Sequence, residues 1–173
     1  MAISLYDVSV TNFLQTVTGV AGFLDRGLSH CQDNNIDPES IVDPRLFPDM
    51  LPFRFQIISV AHHSLGALEG VKAGEFSPGT SLPPLSYAEL QKLVADAKAG
   101  LEALTREEVE AYEGKEVIFK FGQAAMPFTA EGFLMSFSLP NLHFPATTAY
   151  DILRTKGVPL GKRDYLGPLR LKR

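Results

Sequence analysis

The sequence predicts an all-α fold, an up-and-down four-helix bundle with a small β-hairpin before the last helix. Three observations predict it. Four segments repeat apolar residues at the three-and-four spacing of a helix face, and one short stretch alternates at the spacing of a strand. The length, 173 residues, is about one domain's worth of chain on a prior of roughly 100 to 200 residues per domain. Each apolar stripe needs another to cover it, so four of them in a single domain, 1–173, make a bundle the economical architecture. No internal repeat is present.

The first helix is expected from Ser4. Val10, Leu14, Val17, Ala21, Leu24 and Leu28 fall on one face, Ser4 and Asp7 resemble a capping box, and Asn34-Asn35 with Pro38 beyond end the helix. Four prolines between Pro38 and Pro52 then fix φ and remove backbone donors, which predicts an ordered connector. A second helix fits Pro52 to Glu69, with Phe55, Ile58, Ala61, Leu65 and Leu68 as its apolar face. Residues 70–85 hold glycines and prolines without a period and read as a loop. Ser86 and Glu89 form a full capping box for a third helix, whose stripe is Leu90, Leu93, Val94, Ala97, Leu101 and Leu104. A second box, Thr105 to Glu108, opens a short acidic turn ending near Gly114.

Val117, Phe119 and Phe121 then alternate with Glu116, Ile118 and Lys120, and Gly122-Gln123 separates them from the run Ala124 to Phe128. This predicts a hairpin, which must lie on the helices because two strands form no independent core in water. The last helix is expected from Thr129, with Glu131 at its positive end, to Gly157. Its stripe is Phe133, Phe137, Phe144, Thr148 and Ile152, and Pro140 and Pro145 inside it predict a kink.

A chain that is 45% hydrophobic and 21% charged is expected to fold as an ordinary globular domain. Its single cysteine, Cys31, excludes a disulfide framework, a cysteine-rich zinc site and an iron-sulfur cluster. The start lacks a basic secretory n-region and no 18-residue apolar span occurs, so a cytoplasmic location without membrane contact is expected. Charge is uneven. Arg154, Lys156, Lys162, Arg163, Arg170, Lys172 and Arg173 face one acid, Asp164, near the end of an otherwise acidic chain. No aromatic residues interleave with these bases as in base-stacking surfaces, so residues 158–173 read as a solvated or docked basic tail and no nucleic-acid partner is expected.

The histidines carry the strongest chemical hint. His62 and His63 sit together on the second helix and His143 lies on the fourth, near Pro145. Neighbours on a helix point about 100° apart, so His62 shares the side of Ile58 and Leu65, while His63 shares that of Gln56 and Ser59. Either is a packed core histidine or a general base over a cavity. Asp49, a second-helix histidine and His143 are the residues from which a metal site would have to be assembled, but no Glu-x-x-His or His-x-x-x-His spacing occurs, and no metal or other cofactor is expected. Cys31, near a helix C-terminus, reads as packed and inert. Glycine-rich nucleotide loops and the G-x-S-x-G elbow are absent. Tyr150 reads as a donor to a ligand or a packed aromatic with a wet tip.

Leu139-Pro140-Asn141, Thr147 to Arg154, Gly157 to Lys162 and Asp164-Tyr165-Leu166-Gly167 together resemble the closing segment of an uncharacterised domain family grouped with the DinB/YfiT-like four-helix bundles. Ser4 to Asp7, Pro48-Asp49-Met50 and Gln56-Ile57 extend the resemblance over nearly the whole chain. It implies a four-helix bundle, commonly paired as a homodimer, in a superfamily that includes metal-dependent thiol transferases and hydrolases with a histidine triad. Counting back from Gly157, the last-helix histidines of that triad fall at Asn141 and Pro145 here, and Val60 stands where relatives often carry a polar or acidic residue. The fold carries over on this reading and the metal chemistry does not.

Two function classes follow. One is a metal-independent enzyme or binder for a small apolar or aromatic molecule, performing acid-base chemistry such as isomerisation, cyclisation or elimination, in a cavity between the second and fourth helices. His62, His63 and His143 are its acid-base candidates, Asn141, Thr148 and Tyr150 its polar anchors, and Phe55, Phe133, Phe137 and Phe144 its walls. The other is a non-catalytic dimeric structural or stress-related protein in which the same residues are core. A metal-dependent thiol transferase or hydrolase is the weaker third reading.

Overall fold

A computed structural model describes residues 3–79 and 83–172. Residues 80–82 of the expected loop, the first two residues and Arg173 of the expected basic tail lie outside the described residues. The Ser4 hydroxyl accepts from the Asp7 N–H and the Asp7 carboxylate accepts from the Ser4 N–H, which opens α1, Leu5–Val8. The single first helix expected there is broken at Ser9, whose buried hydroxyl donates to the Leu5 carbonyl, and α2 runs Val10–Asp33. Its fully buried residues centre on Val10, Phe13, Val17, Val20 and Leu24, while Leu14, Ala21 and Leu28 are only partly buried. The buried stripe is therefore turned and widened relative to the expected one, because α2 has helices on both flanks.

The second helix is also two. The first half, α3 (Phe53–His62), is capped by His63; the Ser64 N–H shifts to the Ala61 carbonyl, and the buried Ser64 hydroxyl donates to the Val60 and Ala61 carbonyls. The second half, α4 (Leu65–Ala73), outlasts the expected end at Glu69 and stops at Gly74, whose φ of +77° makes the left-handed cap. After β1, Glu75–Phe76, comes α5, Tyr87–Ala103, with the Ser86–Glu89 capping box formed in both directions. Thr105 caps α6, Arg106–Glu110.

The hairpin is β2, Glu116–Phe121, antiparallel to β3, Ala124–Thr129, with Val117 opposite Phe128. A feature absent from the sequence reading is that β1 pairs in parallel with β2, Glu75 against Ile118, so the hairpin is part of a three-stranded sheet. It lies on the helices as expected: Val117 and Phe119 are buried, and Phe119 packs on Phe137.

The last helix is continuous from α7, Ala130–Gly132, through a π-helical turn, Phe133–Ser138, into α8, Leu139–Thr155. The irregularity expected at the prolines takes the form of this π-turn, immediately before Pro140; Pro145 alone is interior to α8. The short α9, Lys162–Leu166, follows.

The bundle is formed by α2, α3 with α4, α5 and α8. Both α2 and α3 pack against α5 and α8, so these two consecutive helices take opposite corners, which the long connector between them permits. Tyr87, Phe13, Phe23 and Phe53 are the largest side chains fully buried among these helices, and the Tyr87 hydroxyl donates to the Leu24 carbonyl at 2.8 Å. Residues 158–172 lie across α2 and form a strap. Arg26 pairs with Asp164 and donates to the Pro159 carbonyl, and a Cβ at Gly19 would stand 2.6 Å from the Tyr165 carbonyl oxygen. Among the described residues, no helix is long and apolar enough to cross a membrane.

Candidate functional site

The three candidate histidines do not share one pocket, which corrects the single cavity expected from the sequence. Helical spacing turns His62 and His63 to different clefts, although their rings stay in edge contact with each other and both pack on Phe76. His62 lies over a cleft toward α5 with Ile58, Leu65, Glu69 and Asp96, and its Nε2 is 2.8 Å from the Ser77 carbonyl. A carbonyl only accepts, so Nε2 carries the proton and this histidine ties α3 to the segment after β1. His143 faces the other way, toward α2 and the strap, with its Nδ1 3.2 Å from the Tyr165 hydroxyl.

His63 alone opens on the groove between α3 and α8. That groove is a cleft of about 310 Å³ lined by Met50, Leu51, Phe55, Gln56, Ser59, His63, Asn141, Phe144 and Pro145. Its rim is built by the proline-rich connector. Pro44 accepts from the Phe53 N–H, Arg45 donates to the Met50 carbonyl, and buried Gln56 donates to the Leu51 carbonyl at 2.9 Å, holding Met50 and Leu51 over α3. On the opposite wall, the Asn141 amide donates to the Phe137 carbonyl at 2.8 Å, which leaves its Oδ1 as an acceptor. Phe144 is 69% exposed beside it, an aromatic wall without a partner on its outer side.

The His63 ring packs among His62, Phe76 and Phe137 at centroid distances of 5.3, 5.5 and 5.7 Å. Burial, with a smaller contribution from neighbouring His62, pushes its pKa down to about 4, so the ring is neutral at pH 7. Its Nδ1 is buried without a hydrogen-bond partner among the described residues. A proton there would be an orphan donor, whereas a bare lone pair costs less, so the neutral ring carries its proton on Nε2.

The remaining expected site residues divide. Phe55 and Asn141 line the α3–α8 cleft with His63. Phe137 does not line it; with buried Phe133 it belongs to an aromatic cluster under the sheet, packed on Phe76, Phe119 and Phe128. Thr148 is buried and donates to the Phe144 carbonyl in its own helix. Tyr150 packs edge-on against Phe23 and Tyr165, on the α2 side. Met50 entered the sequence reading only as part of the family resemblance and Leu51 not at all, because the connector's path over α3 leaves no periodic signal; Gln56 and Ser59 were visible as residues sharing the face of His63.

A model of the family described as Domain of unknown function (DUF1993) matches residues 5–166. The chain belongs to this family. Among curated proteins, none matches the chain. A crystal structure of a DinB family member protein from Shewanella denitrificans superimposes with a TM-score of 0.77 at 23% sequence identity, covering 98% of this chain and 95% of that one. At that identity the likeness shows the fold, and the DUF1993 chain is thereby a DinB-like helical bundle.

The metal that the superfamily resemblance implies does not fit these residues. A divalent transition metal takes three or more imidazole, thiolate or carboxylate donors. The α3–α8 cleft of this DUF1993 domain offers one imidazole beside neutral amides and a hydroxyl, and among the described residues no three His, Cys, Asp or Glu side chains converge.

Proposed function

We propose that the α3–α8 cleft is a metal-independent binding site for a small apolar or aromatic molecule, held by His63 and Asn141. The supporting observation is the juxtaposition of a neutral imidazole, with its proton on Nε2, and the free amide oxygen of Asn141 between the apolar side chains of Leu51, Phe55 and Phe144. A few convergent polar groups in an apolar cleft of this size are what a small-molecule site requires. The resemblance puts the superfamily's last-helix ligands at Asn141 and Pro145, and both line this cleft, so the reading is of an ancestral site refilled with neutral groups.

Binding is favoured over base catalysis by one magnitude. A base with a pKa of about 4 lies some three units below neutrality and is a weak proton acceptor there, whereas efficient general bases sit close to the working pH. Pairing into homodimers, also implied by the resemblance, belongs to the same proposal; exposed Leu51 and Phe144 at the cleft mouth are apolar surface that a second copy would cover.

The test incubates the protein with a metabolite extract and compares retained and converted species by mass spectrometry. Retention of unchanged apolar compounds, lost in His63→Phe and in Asn141→Leu, is the expected result. Conversion would shift the reading to the acid-base enzyme, and neither retention nor conversion would favour the non-catalytic structural protein.

A further inference from the structure

The cleft beneath the C-terminal strap has a different chemistry. It encloses about 280 Å³ between α2, α8 and α9, with Gln15, Thr16, Leu139, His143, Tyr165 and Leu166 among its lining residues. Nearly every polar group there has one hydrogen bond already assigned, which fixes what is left over. Gln15 donates from Nε2 to the Leu166 carbonyl at 3.0 Å, leaving Oε1 as an acceptor. The Thr16 hydroxyl donates to the Asn12 carbonyl, leaving its lone pairs. Asn12, also on the lining, accepts at Oδ1 from Arg170 and donates from Nδ2 to the Val8 carbonyl. Nδ1 of His143 lies 3.2 Å from the Tyr165 hydroxyl, and in the tautomer that accepts from that hydroxyl the neutral ring carries its proton on Nε2.

We propose that this cleft is a second ligand site, for a small uncharged molecule that carries a hydrogen-bond donor and an acceptor on one edge, such as a lactam or primary amide. The residual groups are complementary to that edge: Gln15 Oε1 accepts from the ligand N–H, and His143 Nε2–H donates to its carbonyl. Leu139 and Leu166 supply apolar contact for the remainder of the ring. Among the described residues no carboxylate, lysine or arginine lines the cleft, so neither sign of net charge on the ligand meets a counter-ion in the lining. A volume of this size suits a fragment of one or two rings. Both walls contributed by the strap, Tyr165 and Leu166, are held from across the cleft by His143 and Gln15, so an occupant bridging those two side chains also fastens the strap to the bundle. This site stands apart from the α3–α8 cleft and does not depend on how that cleft is used.

The probes are 2-pyridone, uracil and nicotinamide, titrated into the full chain while the imidazole and phenol ring resonances of the histidines and tyrosines are followed by NMR. The expected result is a saturable shift of His143 and Tyr165 with no matching shift of His63, at least tenfold weaker binding in His143→Phe, and a smaller loss in Tyr165→Phe, which keeps the strap packing. N-methyl-2-pyridone, lacking the donor, is expected to bind at least tenfold more weakly than 2-pyridone. The proposal is overturned if no probe shifts His143 at millimolar concentration, or if affinity is unchanged in folded His143→Phe.

Discussion

His63 shows how a single side chain's setting decides its use. Helical spacing alone puts it beside Gln56 and Ser59, but only the fold surrounds its ring with Phe76, Phe137 and His62 and lowers its pKa to about 4. The linkage has a definite sign. Between about pH 6.5 and 4 the unfolded chain binds a proton at this position that the native state does not, so stability is full above that window and falls as pH drops through it. For His63 the loss amounts to at most roughly 3 kcal/mol. His143, also lowered by burial but exposed on one side, adds less. The carboxylates whose pKa values are lowered, among them Asp7 at about 2 through its bonds to Arg106, act at lower pH. Denaturant melts at a series of pH values are therefore expected to show a slope between pH 6.5 and 4.5 that flattens in His63→Phe; an unchanged slope would remove the argument for a neutral, buried imidazole.

At the scale of elements, the glycines of α2 separate what propensity dictates from what packing dictates. A glycine in a helix interior costs about 1 kcal/mol relative to alanine. Gly22 faces open space, and Gly22→Ala is expected to stabilise the protein by about 0.5–1 kcal/mol in urea denaturation. Gly27 lies under the Tyr87 hydroxyl, so a Cβ there would displace the ring and its bond to Leu24. Gly27→Ala is expected to destabilise by about 1–3 kcal/mol despite the gain in propensity, and equal responses at the two sites would contradict the packing. The Ser86 cap of α5 makes a third test: Ser86→Ala is expected to cost about 1 kcal/mol in the same assay, because an N-terminal donor loses its partner. Both α5 and the β2–β3 hairpin were legible because their signals are local, a capping box in one and strict alternation around Gly122-Gln123 in the other. The breaks at Ser9 and Ser64 were not. Each serine hydroxyl bonds a carbonyl of the preceding turn, beside the backbone N–H at Ser9 and in its place at Ser64, and the apolar pattern running through both points conceals this.

For the whole molecule, the strap and the sheet join distant parts of the chain into one unit. Phe76, Phe119, Phe133 and Phe137 come from β1, β2 and the π-turn and pack together, so the sheet should unfold with the bundle. Calorimetry is expected to give one cooperative transition, and a separate early transition would show the sheet to be independent. Deleting residues 158–173 would uncover α2 around Gly19 and remove the Arg26–Asp164 and Gln15–Leu166 contacts. The truncated chain is expected to melt several degrees lower, by about 4–8 °C if the loss is roughly 2 kcal/mol. The basic composition of this segment had marked it as a tail that is either solvated or docked. Its close approach to the helix required two glycines 148 residues apart in sequence, Gly19 and Gly167, to meet, and no local pattern announces that.

The amino-acid order alone settled the helical class, the third helix, the hairpin and the family resemblance, since these rest on periodicity, capping and motif combinations that act over a few residues. Tertiary structure decided which of the candidate residues meet. His63, Asn141 and Phe55 share a cleft with Met50 and Leu51 of the connector, while His62 and His143 turn to other faces and Phe137 to the aromatic cluster. The reason is geometric: a one-residue step on a helix rotates a side chain by about 100°, and the positions of α8 and the connector around α3 are set by packing across the bundle.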